Sequence, residues 1–272
     1  MINTLLELLQ YSFIQRALIA GIFLGLLCAI LGVFLVLRRL SLIGDGLAHV
    51  SFGALALGLA FGVYPFGVAV PLVIVAAIAI QLMIRYTSVD GDAAIGIISA
   101  TGISTGIILA SVSGGFNIDI YSFLFGNILA ISSLELYLAI GLSGIVLSTI
   151  AVSYHELVYV TFDEEQAQIS GINTTVIQTL ISILTAITIV LSVKMVGIML
   201  VSSLLIIPAS SALQISSGFG ETLRRASLLS ITSVIFGIII AFVLDVPPGA
   251  TIVLTNIGFF ATILGIRLIS DS

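Results

Sequence analysis

Long apolar runs separated by short polar turns constrain this chain more than any other feature of its sequence. A membrane-spanning helix needs about 20 consecutive apolar residues, and the 272 residues hold several such runs. Hydrophobic residues make up 60% of the chain and charged residues 8%, whereas soluble domains carry about 25% charged residues. The sequence therefore predicts an all-α polytopic membrane protein with eight or nine transmembrane helices, forming a single transmembrane domain over residues 1–272.

The number of spans depends on the region 176–215, which is too long for one membrane helix. Gly197 and Pro208 interrupt it, so two helices joined near residues 192–197 fit best, although one complete crossing is the alternative. A shorter run at 118–130 predicts a half-helix or a re-entrant segment. The other expected spans are 13–37, 45–63, 66–84, 94–112, 136–153, 226–244 and 250–268.

Arginine residues near the ends of the predicted spans indicate the orientation of the chain. Positively charged residues beside membrane helices favour the cytoplasmic side. We therefore expect an external N-terminus, a cytoplasmic C-terminus and a cytoplasmic loop at residues 154–175, in a multi-pass protein of a bacterial plasma membrane. The arginines that carry this expectation are Arg38, Arg39, Arg85, Arg224, Arg225 and Arg267.

Small residues recur every four residues on three of the predicted spans. Glycine and alanine at this spacing form a stripe that lets a second helix approach closely. We expect these stripes to be packing faces and to carry no chemistry. They are Ala17, Gly21, Gly25 and Ala29 in the first span, Ala54, Gly58 and Gly62 in the second, and Gly102, Gly106 and Ala110 in the fourth.

An aspartate and a histidine lie four residues apart at the start of the second predicted span. Side chains at this spacing share one helix face, with Cβ atoms about 5–6 Å apart, so Asp45 and His49 can share one cation. Gly53 lies on the same face. Ionisable residues in membrane helices usually face the protein interior or a water-filled path. The pair therefore predicts a station for a divalent metal on a transport route.

A second interpretation of the same pair stays open at this point. Asp45 lies between Gly44 and Gly46, six residues after Arg39. In such a place its carboxylate could cap the helix by accepting hydrogen bonds from free backbone N–H groups. His49 would then be an interfacial residue with no ligand role.

Other acidic residues have weaker assignments. Asp90 and Asp92 lie in the polar turn 87–93, which lacks the remaining ligands of a calcium loop, so we expect a solvated turn. Asp119 and Asp245 lie near predicted outer ends of spans, and a contribution to the outer mouth of a pathway is left open for both.

The longest polar stretch, residues 154–175, has the sequence YHELVYVTFDEEQAQISGINTT. Asp163, Glu164 and Glu165 begin a short helical pattern in which Ala167 and Gly171 are four residues apart. Acidic residues in a first turn stabilise a helix through its positive end. The residues alone predict a capped amphipathic helix in a loop that is long enough to dock a partner.

Several functions are excluded by residues that the chain lacks. Lys194 is the single lysine and has no GxxxxGK[ST] frame around it, so the chain has no P-loop for ATP. His155 and Glu156 lack the second histidine of HExxH, because residue 159 is tyrosine. Cys28 is the single cysteine, which excludes an internal disulfide and a multi-cysteine zinc site. No basic cluster indicates nucleic acid as a partner.

Four separated stretches stand in the order expected of one family. They are LGVFLVLRRLSLIGDGLAHVSFGALALG, TFDEEQAQISGI, VGIMLVSSLLIIPASSA and VPPGATIVLTN. Together they resemble the permease subunit of ABC importers for zinc and manganese, the metal ABC-3 type family. The resemblance extends from about residue 13 to residue 268.

The resemblance implies a homodimeric pore in the lipid membrane, served by two copies of a cytoplasmic ATPase and by an extracytoplasmic metal-binding protein. ATP hydrolysis would then belong to the partner chain, and this chain would be a transporter subunit and not an enzyme. The segment 154–175, with Asp163, Glu164, Glu165, Ala167 and Gly171, would be the element that docks on the ATPase. Asp45 and His49 would be metal ligands in the translocation path, and no permanently bound cofactor is expected.

The ion and the transport class are separate questions. Imidazole suits zinc and carboxylate suits manganese, so the pair favours zinc only slightly, with manganese next. Two alternatives are a siderophore or cobalamin permease of the ABC type, which needs no metal-ligand pair, and an ion-coupled secondary transporter, which uses broken helices.

Overall fold

The computed structural model describes residues 11–112, 126, 128 and 131–270, which form eleven helices and contain no strand. The predicted re-entrant segment 118–130 falls almost entirely outside these residues, as does Asp119. The helices are α1 (Ser12–Leu37), α2 (Ile43–Ala60), α3 (Pro65–Tyr86), α4 (Gly91–Val112), α5 (Ser133–Val152), α6 (Tyr154–Phe162), α7 (Glu164–Ile169), α8 (Thr174–Val196), α9 (Ile198–Ile215), α10 (Phe219–Leu244) and α11 (Pro248–Ser270).

Eight of these helices are long and apolar enough to cross a membrane, and the apolar stretch Leu200–Ile215 of α9 is shorter. The prediction of an all-α membrane protein is therefore confirmed. Helix α1 lies in the centre of the bundle, because most of its residues are buried, and it packs against α5, α8, α9 and α10. Helices α4, α5 and α11 are largely exposed at the periphery.

The arginine residues that mark span ends gather at one end of the bundle, here called the arginine face. Arg85 at the end of α3 donates a hydrogen bond to the Thr175 hydroxyl at the start of α8. Arg267 near the end of α11 donates to the Gln214 carbonyl at 3.3 Å, near the end of α9. This clustering agrees with the alternating direction of the spans.

The break between α8 and α9 lies inside the bundle. Gly197 joins the two helices with φ at +95°, a conformation that favours glycine. The Sγ atom of Cys28 lies 3.4 Å from the Ser192 hydroxyl near the end of α8. A Cβ atom added at Gly32 would lie 2.0 Å from the Leu205 carbonyl oxygen of α9. Cys28 and Gly32 both lie within the second half of the membrane helix α1. Because α8 ends and α9 begins beside them, the junction between α8 and α9 lies within the membrane-spanning layer.

One helix boundary differs from the sequence prediction. We expected a polar link over residues 216–225 before the eighth span, but α10 begins at Phe219 and includes Arg224 and Arg225. Glu221 in its first turn accepts hydrogen bonds from the backbone N–H and the hydroxyl of Ser217, at 2.9 and 2.7 Å. These bonds and the 2.5 Å ion pair of Glu221 with Arg225 stabilise a first helical turn made of polar residues. Hydropathy alone does not detect such a turn as part of the helix.

The glycine stripes of α1 and α4 are packing faces, as predicted. Gly21 and Gly25 contact Val234 and Ser230 of α10, and the Ser230 hydroxyl donates to the Gly25 carbonyl at 2.8 Å. The predicted stripe on α2 is partly wrong, because Gly62 lies in a turn with φ at +64°, where an added Cβ atom would meet nothing within 4 Å.

Candidate functional site

Asp45 lies inside helix α2 and does not cap it. The helix begins at Ile43, its N-cap is Leu42, and no side chain caps the first turn. Asp45 is therefore the third helical residue, so the interpretation of Asp45 as the N-cap is wrong. A carboxylate in a first turn is stabilised by the positive end of the helix dipole.

The Asp45 and His49 side chains meet on one face of α2. The Nε2 atom of His49 lies 3.5 Å from the Oδ2 atom of Asp45. The Asp45 side chain is 49% exposed and the His49 side chain 24% exposed, so both keep access to an incoming ion. The expected juxtaposition therefore occurs, and each group still has lone pairs to offer to a cation.

A third polar group joins the pair from a distant part of the sequence. The Ser202 hydroxyl of α9 donates to Oδ1 of Asp45 at 3.4 Å. This contact follows from the break at Gly197, which brings the first turns of α9 beside the first turn of α2. We refer to Asp45, His49 and Ser202 as the metal station, after the role that the sequence predicts for the pair.

Glycines hold α2 against α4 beside the pair. A Cβ atom added at Gly53 would lie 2.4 Å from the Gly102 carbonyl oxygen, and one added at Gly102 would lie 2.9 Å from the His49 carbonyl oxygen. Gly53, one turn beyond His49, therefore belongs to a packing face, and this contact fixes the backbone that carries the His49 side chain.

One chain supplies an incomplete ligand set. Within the described residues, no group of three or more histidine, cysteine, aspartate or glutamate side chains is placed to hold a metal ion. The metal station offers one carboxylate, one imidazole and one hydroxyl. Divalent zinc takes four ligands and manganese takes more, so further donors must come from water or from a second molecule.

The sequence analysis did not identify Ser202 as part of the site. The sequence did indicate polar groups in this region, because the stretch VGIMLVSSLLIIPASSA places hydroxyl residues in an otherwise apolar helix. Ser202 precedes Ser203 and shares its helix with Ser210 and Ser211. Nothing in the sequence says which of the four reaches Asp45, since the two residues are 157 positions apart.

The segment 154–175 forms two short helices, α6 and α7, held by local bonds. Asp163 caps α7 by accepting a hydrogen bond from the Gln166 backbone N–H at 2.9 Å. At the other end Gly171 adopts φ at +87°, and the Ile172 N–H donates to the Ala167 carbonyl at 3.0 Å. This is a Schellman ending, which needs a residue that tolerates positive φ. The predicted short helix is thus present between a capping Asp163 and a terminating Gly171.

The same segment presents apolar side chains to solvent. Ala167 is fully buried, whereas Ile169 is 85% exposed and Phe162 is 62% exposed. Glu164 and Glu165 are also exposed. The Tyr159 hydroxyl and the Ser170 hydroxyl lie 3.1 Å apart and tie α6 to α7. Ala167 therefore anchors a compact unit. Phe162 contacts the Phe219 ring of α10 edge-on, at 5.6 Å between ring centroids, and still leaves most of its surface exposed, as Ile169 does.

Comparison with known proteins gives a consistent result over almost the whole chain. Residues 10–266 match the ABC 3 transport family. A manganese transport system membrane protein of Halalkalibacterium halodurans is 34% identical, over 94% of this chain and 87% of the relative. A high-affinity zinc uptake system membrane protein of Haemophilus influenzae is 35% identical, over 92% of this chain and 96% of the relative.

A solved structure has the same fold. The structure of PsaBC from Streptococcus pneumoniae in complex with Fab contains a chain that is 30% identical. It superposes with a TM-score of 0.87 and covers 97% of this chain and 95% of that chain.

Proposed function

The chain belongs to the ABC 3 transport family, and from this premise we propose that it is the permease of an ATP-driven importer of zinc or manganese. Its relatives are membrane proteins of metal transport systems, so the chain is a transporter subunit and not an enzyme. The family favours metal import over the siderophore, cobalamin and secondary-transport alternatives. Zinc and manganese are the cargo here and not resident cofactors.

One observation carries the proposed transport site. Asp45 and His49 lie 3.5 Å apart on a membrane helix, and both remain accessible. An ionised or polar pair inside the membrane is costly unless it serves a pathway. The metal station therefore binds the ion in transit, and the Ser202 hydroxyl orients the Asp45 carboxylate.

The incomplete ligand set supports a pore made by two copies of the chain. A two-fold axis beside α2 doubles one carboxylate and one imidazole to four ligands, which satisfies a tetrahedral zinc ion. Release requires that the ion be held weakly enough to leave. Opening the interface between the copies separates the ligands and lets the ion go.

The segment 154–175 is the element that docks on a cytoplasmic ATPase. Its exposed Phe162 and Ile169 provide an apolar docking surface, and Asp163 and Gly171 hold α7 in shape. Glu164 also interacts electrostatically with Arg38, which lies in the short link between α1 and α2. Movement of the docked segment is thereby transmitted to the helix that carries the metal station. An extracytoplasmic metal-binding protein delivers the ion on the opposite face.

Metal accumulation in cells tests the proposal. Cells that lack the gene are complemented with wild type, Asp45→Asn or His49→Ala at matched expression, and zinc and manganese are measured by elemental analysis. Wild type should restore one metal, which names the ion, and both variants should reduce uptake at least tenfold, because a ligand lost from a metal centre costs roughly that much.

A matched control separates ligand loss from a general effect of the substitutions. Asp92→Asn removes a carboxylate at an exposed site outside both the metal station and the segment 154–175, and it should transport normally. Normal uptake by Asp45→Asn and His49→Ala would contradict the assignment of the site. Failure of wild type to restore either metal would contradict the substrate class.

A further inference from the structure

A cavity of about 450 Å³ opens at the arginine face, and none of its lining residues belongs to the metal station. It lies between the end of α1, the first residue of α2 and helices α3, α6, α7 and α8. Its polar lining consists of Arg38, Gln81, Arg85, Thr161, Glu164, Gln178 and Ser182. Its two guanidinium groups repel a cation, so the cavity is a poor site for the transported ion.

Several polar groups in the cavity lack partners of their own. Within the described residues, the half-buried Arg38 side chain forms no hydrogen bond and no close ion pair. Burial lowers the pKa of Arg38, and the more distant Glu164 carboxylate partly offsets this effect. Gln178 is 9% exposed, and in the part of the chain that the structure describes its side-chain amide forms no hydrogen bond. A ligand that accepts hydrogen bonds from these donors in a partly buried cavity would be stabilised by them, so the cavity favours an acceptor.

The charge and the shape of the lining identify the acceptor. Arg38 and Arg85 carry two positive charges against the single carboxylate of Glu164, so the cavity favours an anion. Arginine is well suited to phosphate, because its planar fork donates two parallel hydrogen bonds. The apolar part of the lining is aliphatic, from Leu35, Leu40, Ile43, Ile80, Ile84, Val160 and Ile181. A ligand with a phosphate group and an adjoining apolar part fits both halves.

The location of the cavity agrees with a membrane lipid. Arg38 follows the end of α1, and Arg85 lies in the last turn of α3, so both guanidinium groups lie where lipid headgroups lie. Basic pockets between membrane helices on the cytoplasmic side bind lipid headgroups. We propose that this cavity binds the phosphate of an anionic phospholipid through Arg38 and Arg85, with Gln178 as a further donor and the aliphatic lining against the acyl chains.

Native mass spectrometry of the full-length protein, purified in detergent with its native subunits, tests the lipid site. The delipidated protein is titrated with phosphatidylglycerol and, separately, with phosphatidylcholine. Wild type should bind phosphatidylglycerol in preference, and Arg38→Gln should weaken that binding about tenfold, as expected for loss of one charge-assisted hydrogen bond.

Arg39→Gln is the matched control, because Arg39 is the adjacent residue, is exposed and does not line the cavity. It should bind phosphatidylglycerol like wild type. Arg85→Gln is the second cavity variant and decides the test if Arg38→Gln is not recovered as folded protein. Equal loss in Arg39→Gln and the cavity variants would overturn the proposal, as would equal binding of the two lipids by wild type.

A third arm adds inorganic phosphate in place of lipid. If phosphate binds with the same dependence on Arg38 while phosphatidylglycerol does not, the ligand is a soluble phosphate compound and the lipid assignment is wrong. The lipid site does not involve Asp45 or His49. A negative result for lipid binding would therefore not contradict the proposed transport function, and a negative result for metal transport would not contradict the lipid site.

Discussion

The metal station and the segment 154–175 are held in place by different forces. The station depends on tertiary packing, since Gly53 of α2 and Gly102 of α4 bring two backbones into contact beside His49. The segment depends on its own sequence, since Asp163 caps α7 and Gly171 ends it. The geometry of the metal station is thus fixed by contacts between helices, whereas the shape of the segment is fixed mainly by its own short-range hydrogen bonds.

The two regions also differ in how far the structural effect of a substitution extends. A new side chain between α2 and α4 displaces the backbone of α2 or of α4, because the neighbouring atoms are backbone atoms that cannot rotate away. A change at the ends of α7 alters one short helix and leaves the membrane bundle intact. Substitutions in each region, taken from the largest expected effect to the smallest, test this difference.

The largest effect is expected for Gly53→Ala. The new Cβ atom would lie 2.4 Å from the Gly102 carbonyl oxygen, so α4 must shift, at a cost of about 1–3 kcal/mol. We expect a lower Tm in detergent and a loss of metal uptake. Gly96→Ala on α4 is the control, because a Cβ atom there meets nothing within 4 Å, and its Tm should not fall. An unchanged Tm and normal uptake in Gly53→Ala would show that the α2–α4 contact does not hold the station.

An intermediate effect is expected for Ile169→Asp. Ile169 is 85% exposed, so the bundle should fold and bind metal normally. At a docking surface, a charge in place of a buried apolar contact costs about 2 kcal/mol, or roughly thirtyfold in Kd. Co-purification and titration with the ATPase subunit measure this loss. Gln168→Asp, at the neighbouring exposed residue of α7, controls for added charge alone. Undiminished ATPase binding by Ile169→Asp would mean that α7 docks through another surface.

The smallest effect is expected for Gly171→Ala. The φ angle of +87° costs alanine about 1 kcal/mol relative to glycine, and no neighbour lies within 4 Å of the added atom. We expect slightly weaker ATPase-coupled uptake, with the Tm of the bundle and the binding of metal unchanged. Gly141→Ala, at an open helical site of α5, should leave uptake unchanged. A fall in Tm as large as that of Gly53→Ala would contradict the independence of this segment.

The difference between local hydrogen bonds and packing between helices also explains how much of the structure could be predicted from the sequence. The caps of α7 were predictable, because Asp163 and Gly171 act on residues three to five positions away. The spans were predictable from hydropathy, and the break near Gly197 from the glycine itself. The depth of that break was not predictable, because it depends on the contacts of Cys28 with Ser192 and of Gly32 with Leu205 across the bundle.

The candidate site shows the same limit. The spacing of Asp45 and His49 predicted their proximity, since one helical turn brings them to the same face. The sequence could not decide whether Asp45 is a metal ligand or the N-cap of α2. The structure was needed because the N-cap is Leu42, only three residues before Asp45. Ser202 was beyond prediction, since it reaches Asp45 only after α8 and α9 have folded around Gly197.

Counting the ions bound to the purified protein tests the metal station most directly. Equilibrium dialysis against zinc or manganese, followed by elemental analysis, should give about one bound ion per two wild-type chains, as a shared four-ligand site requires. Asp45→Asn and His49→Ala should lose this ion, while Asp92→Asn and His155→Ala should keep it. Equal amounts of bound ion in wild type, Asp45→Asn and His49→Ala would show that the ion binds elsewhere and would contradict the proposed station.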